Sequence, residues 1–595
     1  MVGLFQETGP CQVVEMAKGM LGTQPRQWGW DRSSNVLFID QPDQVGFSYD
    51  TRTNGSLNLF TGEFAVPPAP IPFNQPNDSF LNGTFSSGNG NSTANTTAIA
   101  ARTIWHMLQG FLGAFPQYNP GSLPNGTTNG MVGVNLFTES YGGHFGPSFA
   151  AFWEEQNMRR KNGTIPSNGT LDIRLSSVGI LQGCIDDLVQ APFYPLFAYN
   201  NTYGIQAISL TDQQTAANSF LSANGCQQQI QTCRSAVGMM DPQDDGDVAN
   251  VNQICQSAQT NCNSQIQGPY YQSGRGPYDI THKLPDSFPP SFYLDYLNAA
   301  DVQAGVGAMV NYTESNPVVQ KAFLQTGDYE RGNQVAQISY LLSLGVRVAL
   351  IYGDRDYVCN WAGGEAVAYS IAAQSISYSP FYTAAYADIV VNSSYIGGVV
   401  RQYGNFSFSR VYDAGHLIPA YQPETAFTIF TRIIMGTDIA TGKPVNLSNF
   451  STHGNANATH TNSAPASPDP TCWIRNIANT CTNDQKNMIQ QGQGVIINGV
   501  HYDKESDWQA PASSISVQAG VPGTVPTLMT ANTVAPSGST SYTASTTGTV
   551  PTGVYVATGT ITATKNGVAS PTQEASIPFM MAAGLTVAAI VELYI

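Results

Sequence analysis

Three apolar runs stand out along this chain, at 131–137, 346–352 and 408–412. The first reads as a buried strand, the second is β-branched and strand-like, and the third is a shorter strand-like run. A stretch of small and apolar residues at 142–153 follows the first run and predicts a helix. More broadly, 1–184 and 290–435 read as strands alternating with helices, which predicts a mostly parallel sheet. The segment between them is rich in Gln and Asn, with helical candidates at 212–223 and 226–237. It predicts a helical lid or cap inserted into the sheet domain. The stretch 74–95, rich in Gly, Asn and Ser, reads as a surface loop. Beyond about 445 the chain turns polar, and from about 505 it is Ser/Thr/Pro/Gly-rich without hydrophobic periodicity. That composition predicts a disordered, O-glycosylated stalk.

Each of the three runs ends at residues with chemistry. The first leads into Thr138-Glu139-Ser140-Tyr141-Gly142, the second into Gly353-Asp354-Arg355-Asp356, and the third into Asp413-Ala414-Gly415-His416. Strand, sharp turn, serine, helix is the context of a nucleophile elbow, whose strained turn requires small neighbours at −2 and +2. Gly142 suits the second position, and Thr138 departs from the usual Gly at the first. A serine hydroxyl needs an imidazole to take its proton and a carboxylate to orient that imidazole. Ser140, Asp356 and His416 follow one another in the order of the α/β-hydrolase fold. Singly, a turn serine, a helix-capping Asp and a surface His are the commoner meanings of such residues. Their joint order at strand ends outweighs those readings. Both Asp354 and Asp356 lie in the Gly353 turn, and only one can orient the base.

Further segments make the chain resemble the serine carboxypeptidases, specifically the secreted fungal type. Gly3-Leu4-Phe5-Gln6-Glu7-Thr8-Gly9-Pro10 is similar to the family's early GLF-x-E-x-GP run. Trp30-Asp31 and the segment 35–50 resemble its strand-and-loop signature. Pro277-Tyr278-Asp279-Ile280 and Cys359-Asn360-Trp361 also fit. The resemblance covers roughly 1–440. It implies an α/β-hydrolase with a mostly parallel central sheet, helices on both faces and a helical lid. It also implies hydrolysis of the last peptide bond of a polypeptide at acid pH, with the Tyr141 N–H in the oxyanion hole. Position in the family favours Asp356 over Asp354 as the partner of His416. In the family, Glu139 and Glu7 join an early Asn in gripping the substrate's terminal carboxylate. Two nearby carboxyls raise each other's proton affinity, and only the protonated form can donate to a carboxylate. Alone, Glu139 reads as a solvated turn residue and Glu7 as a loop carboxylate near a helix start.

The family places a Trp-x-Asn-Gly-Gly-Pro-Gly-Cys-Ser-Ser segment immediately before its GLF run, where this chain begins at Met1. The resemblance therefore implies a truncated N-terminus. The missing piece would carry an oxyanion N–H, the carboxylate-binding Asn, a cysteine, a sheet strand and the signal peptide. Loss of one oxyanion donor costs on the order of 10²–10³ in rate. An impaired cell-surface glycoprotein is thus one alternative expectation. An esterase or acyltransferase on the same scaffold is another, disfavoured by Glu139 and Glu7.

The 595 residues carry a net charge of −16, with 11% charged, and no basic stripe for nucleic acid. Asn-x-Ser/Thr sequons occur at Asn54, Asn77, Asn82, Asn91, Asn95, Asn125, Asn162, Asn168, Asn200, Asn311, Asn392, Asn405, Asn446, Asn449 and Asn457. Their density points to a secreted or cell-surface glycoprotein. Among nine cysteines, the spacing of Cys226, Cys233, Cys255 and Cys262 suits two nested bridges, 226–262 and 233–255, resembling those of the family's lid. Two other pairings of these four remain open. Cys472 and Cys481 can close a local loop, and Cys359 reads as a free thiol near the acid. No histidine falls at zinc-ligand spacing, so neither metal nor cofactor is expected. The apolar tail 577–595, preceded by small residues and a polar spacer, resembles a glycolipid-anchor signal more than a membrane span, because Glu592 interrupts it.

The expected division is an α/β-hydrolase catalytic domain over 1–184 and 290–445 and a lid over 185–289. A C-terminal extension over 446–504, a stalk over 505–576 and an anchor signal over 577–595 complete it. The expected partners are peptides with a free C-terminus, with membrane contact only through the anchor. No motif sets an oligomeric state.

Overall fold

The computed structural model describes residues 1–73, 75–120, 133–511 and 587–592. Alternation within single strands decides the architecture. Every residue of the strand Val134–Glu139 is buried. Leu136 packs on one side with Phe145, Phe149 and Trp153 of the helix Gly142–Lys161. Its neighbour Phe137 packs on the other side with Phe427 and Phe430 of the helix Pro423–Ile434. Leu350 and Ile351 of the fully buried strand Arg347–Gly353 divide between the same two faces. Burying each such side chain is worth about 1.5–3 kcal/mol. A strand apolar on both faces needs cover on both, and the helices supply it.

The central sheet runs, edge to edge, Tyr386–Asn392, Tyr395–Tyr403, Phe406–Val411, Arg347–Gly353, Leu175–Leu181, Val134–Glu139, Val587–Glu592 and Asn35–Asp40. The first three strands form an antiparallel meander, and the rest are parallel. This is the α/β-hydrolase arrangement, and it brings the ends of the three motif-bearing strands to one edge of the sheet. The strand Val587–Glu592 lies within the stretch expected to be an anchor signal. It is paired between two parallel strands of the sheet. A short apolar run satisfies two open strand edges as well as it mimics a lipid-anchor signal. Residues 577–586 and 593–595, and the stalk from 512 to 576, lie outside the described residues. Among the described residues, no helix is long and apolar enough to cross a membrane.

The lid is helical. Ser209 accepts from the Asp212 N–H in a reciprocal capping box, which starts the helix Leu210–Leu221 two residues before its expected start. In the helices Cys226–Met240 and Ala249–Cys262 the buried residues fall at helical spacing: Cys226, Ile230 and Cys233 on one, Val251, Cys255, Ala258 and Cys262 on the other. The bridges Cys226–Cys262 and Cys233–Cys255 are nested along these faces. Closing the outer loop stabilises the lid by about 4 kcal/mol on the chain-entropy account.

Two expectations are corrected. Within 74–95, Phe80–Phe85 is a strand paired antiparallel with Thr53–Asn58, because Phe80 and Phe85 are buried despite their polar surroundings. Cys359 is not a free thiol but is bonded to Cys184. The unpaired cysteine is the half-buried Cys11. The extension packs rather than trailing. Cys472–Cys481 closes a small core with Ile474, Ile477 and Ile489. Arg475 pairs with Asp295 at 2.7 Å, and Trp508 donates to Glu15 at 2.7 Å.

Candidate active site

Ser140 sits immediately after the strand Val134–Glu139 with φ 59°, the left-handed region that a non-glycine residue rarely occupies. Its N–H donates to Leu181 O at 3.1 Å, and its carbonyl accepts from Gly143 N at 2.9 Å and Cys184 N at 3.1 Å. Thr138 is tolerated for a local reason: its hydroxyl donates to Gly142 O at 2.8 Å. A Cβ on Gly146 would come within 2.5 Å of that hydroxyl oxygen. The crowding that usually demands glycine at −2 is relieved by glycines in the helix. Tyr141 stands at the first turn of that helix, where backbone amides have no intrahelical partner.

The strand Arg347–Gly353 delivers two carboxylates that diverge. Asp356 Oδ2 lies 3.0 Å from His416 Nδ1 and accepts from Cys359 N at 3.0 Å, while Oδ1 accepts from Val358 N at 3.2 Å. Asp354 points elsewhere. It pairs with Arg410 at 3.0 Å and accepts from Tyr203 Oη at 2.6 Å and Asp413 N at 2.9 Å. Burial raises the Asp354 pKa, with Arg410 opposing the rise. His416 is 1% exposed, and its N–H donates to Tyr278 O at 2.8 Å. Pro277 O accepts from Tyr357 N and Val358 N, and Ile280 N donates to Arg355 O. The Pro277–Ile280 motif thus clasps the loops carrying both Asp356 and His416. Asp356, Cys359 and His416 lie close together, but the disulfide removes the sulfur as a metal ligand.

One expected contact is absent. His416 Nε2 is buried without a hydrogen-bond partner, so the hydrogen bond from Ser140 to His416 is not formed here. Glu7 and Glu139 are buried, at 2% and 4% exposure. Arg26 lies within electrostatic reach of Glu7, and burial lowers its guanidinium to about 10. The Tyr141 hydroxyl donates to Asp328 Oδ2 at 2.5 Å, and Asp328 also accepts from the N–H and hydroxyl of Thr97.

Sequence reasoning missed Asp328 and Gln182. It also missed a buried carboxyl pair, Asp187 and Glu330, between the base of the lid and the core. None of their four oxygens meets an N–H or O–H donor, yet the two carboxyls are within hydrogen-bonding reach of each other. Only a shared proton satisfies both. Burial pushes Asp187 up to about 7 and raises Glu330 well above the carboxylate range, with Asp187 adding to the Glu330 shift. Arg234 does not neutralise the pair, because its guanidinium is forked onto Asp186 at 2.8 and 3.2 Å. For an acid raised on folding, the native state binds more protons than the unfolded chain between the ordinary carboxylate range, about 4, and about 7. Stability therefore falls as pH rises through that window. Asp187→Asn supplies a donor at every pH, so its melting temperature is expected to decline less from pH 4 to pH 7 than the parent's. Equal declines for the two proteins would count against the shared proton.

A family model described as Serine carboxypeptidase matches residues 1–436. Carboxypeptidase S1 homolog A from Arthroderma otae is 42% identical over 522 residues, covering 86% of this chain and 77% of its own. Carboxypeptidase Y homolog from Arthroderma benhamiae is 37% identical over 507 residues, covering 84% of this chain and 78% of its own. The solved structure of a prohormone-processing carboxypeptidase from Saccharomyces cerevisiae overlaps 73% of this chain and 80% of its own, with a TM-score of 0.49 at 17% identity.

Proposed function

Since this chain belongs to the serine carboxypeptidase family, we propose that it releases C-terminal residues with Ser140 as nucleophile, His416 as base and Asp356 as orienting carboxylate. The observation that carries this reading is the strained φ of Ser140 at a strand end, with the Asp356–His416 contact two strands away on the same sheet edge. Asp356 takes the Nδ1–H, which leaves Nε2 as the nitrogen with the lone pair. Ser140 Oγ attacks the scissile carbonyl as its proton passes to Nε2. The Tyr141 N–H stabilises the oxyanion. Collapse breaks the C–N bond, and His416 returns the proton to the leaving amino acid. Water, deprotonated by His416, then hydrolyses the acyl-enzyme.

Glu7 and Glu139 would supply the grip on the substrate's terminal carboxylate. In this reading the two carboxyls share one proton in acid. A protonated Glu139 donates to the incoming carboxylate, and ionisation of the pair repels it. Four disulfides suit an oxidising compartment, and Asn54, Asn91, Asn162 and Asn168 expose their sequons to solvent. Both features support a secreted or cell-surface glycoprotein.

The test compares N-blocked dipeptides with a free and an amidated C-terminus. The free acid is expected to be the better substrate in acid, and its KM to rise towards neutral pH more than that of the amide or an ester. Changing both glutamates to Gln should flatten the difference, since Gln donates at any pH. A constant KM for the free acid across that range would rule out the carboxyl pair. Equal turnover of acid and ester at all pH values would favour an esterase.

A further inference from the structure

Gln182 is fully buried, directly after the strand Leu175–Leu181, at φ 43°. Its backbone N–H donates to Ile351 O at 2.8 Å. Its side-chain Nε2 donates to Gly353 O at 3.2 Å and to Gly415 O at 3.0 Å. Those carbonyls belong to the turn that leads to Asp356 and to the residue before His416. The preceding residue, Leu181, accepts the Ser140 N–H. The amide orientation follows from its surroundings, because two carbonyls demand two N–H donors and would repel Oε1. The packing there is tight. A Cβ on Gly353 would lie 2.4 Å from Ala414 O and 2.8 Å from Gln182 Nε2. Gln182 Oε1 is left buried without a hydrogen-bond partner. A buried acceptor left unsatisfied is costly, and an apolar side chain here would avoid that cost. The amide is therefore held for its two donors.

We propose that Gln182 is a positioning residue that fixes the acid and base loops together against the strand beside the nucleophile. The inference rests on the reading of Ser140, Asp356 and His416 as the reacting groups. The two loops come from strands that are neighbours in the sheet, and they also meet directly, through Arg355 N to Ala414 O at 2.8 Å and Asp413 N to Asp354 Oδ1 at 2.9 Å. The Gln182 amide adds the tie that joins both of them to the end of the strand beside the nucleophile. Fully buried, it offers no surface to a substrate, so its loss should slow chemistry and leave binding intact.

Gln182→Leu removes both donors, and Gln182→Glu, of nearly the same volume, offers at most one, and that only while its carboxyl is protonated. Each is compared with the parent for kcat and KM on a free-acid dipeptide, for melting temperature, and for the rate at which an organophosphorus fluoride modifies Ser140. That reaction forms an O–P bond, expels fluoride and sends the serine proton to the base, without any peptide binding. In either folded variant kcat is expected to fall at least about tenfold, or about 1.4 kcal/mol. KM should stay within about twofold, and Ser140 modification should slow in parallel. A folded variant with kcat near the parent's, or with its loss wholly in KM, overturns the proposal. If the Leu variant does not fold, the Glu variant decides. A Ser140→Ala protein that still hydrolyses peptides would overturn the triad reading and this inference with it. An inactive Ser140→Ala protein beside unimpaired Gln182 variants would overturn this inference alone.

Discussion

Ser140→Ala is expected to lower kcat by about a millionfold, equivalent to roughly 8 kcal/mol of transition-state stabilisation, while the melting temperature stays close to the parent's. The size follows from the way the group works. Without the hydroxyl no acyl-enzyme forms, and His416 and Asp356 have no proton to move. The fold should tolerate the change, because the Ser140 contacts that hold the turn are backbone ones, to Leu181, Gly143 and Cys184. Steady-state turnover of a blocked free-acid dipeptide, with mass spectrometry for acyl-enzyme, measures it. Turnover within about a hundredfold of the parent would mean that another group is the nucleophile.

Asp356→Asn comes next, with an expected loss of about 10⁴ in kcat, or roughly 5 kcal/mol. The carboxylate accepts at once from His416 Nδ1, Cys359 N and Val358 N. An amide presents one oxygen and one NH2 group, so no orientation keeps Cys359 N, Val358 N and the ring contact together, and the orientation that keeps Val358 N places the NH2 against Nδ1. That favours the wrong tautomer and puts the proton on Nε2, where the base must be free. Asp354→Asn is the contrast. Its contacts are Arg410, Tyr203 and Asp413 N, and it does not reach the ring. It should lower the melting temperature more than Asp356→Asn does and kcat far less. The reverse ranking would exchange the two roles.

Several features were legible in the chain because contiguous residues decide them. The strand–turn–helix around Ser140 needs only an apolar run, a tight turn and small helix residues. The fit of Thr138 depends on Gly142 and Gly146, both within one helical turn or two of it. The lid helices carry cysteines at helical spacing, so the nested bridges lie along faces that the pattern already marks. The choice between Asp354 and Asp356 was open to residue spacing and rested on resemblance. In space the two part company: Asp354 meets Arg410 and Tyr203, and Asp356 meets His416, all from distant segments.

Sequence by itself determined the order of elements, the buried strands, the serine turn and the family to which the chain belongs, since each is written in neighbouring residues. Tertiary structure alone decided the rest. Cys359 is bonded to Cys184 across 175 residues because their strands are adjacent in the sheet, a neighbourhood no spacing reveals. Val587–Glu592 lies inside the sheet because two parallel strands leave edges that a distant apolar run can fill. Gln182 looked like any polar residue after a strand until the Asp356 and His416 loops closed around its amide. Asp187 and Glu330 were unremarkable acids until burial left them only each other. The common reason is physical. Local propensity and period act over a turn or two of chain, whereas hydrogen-bond satisfaction in a buried interior depends on which distant segments exclude water together.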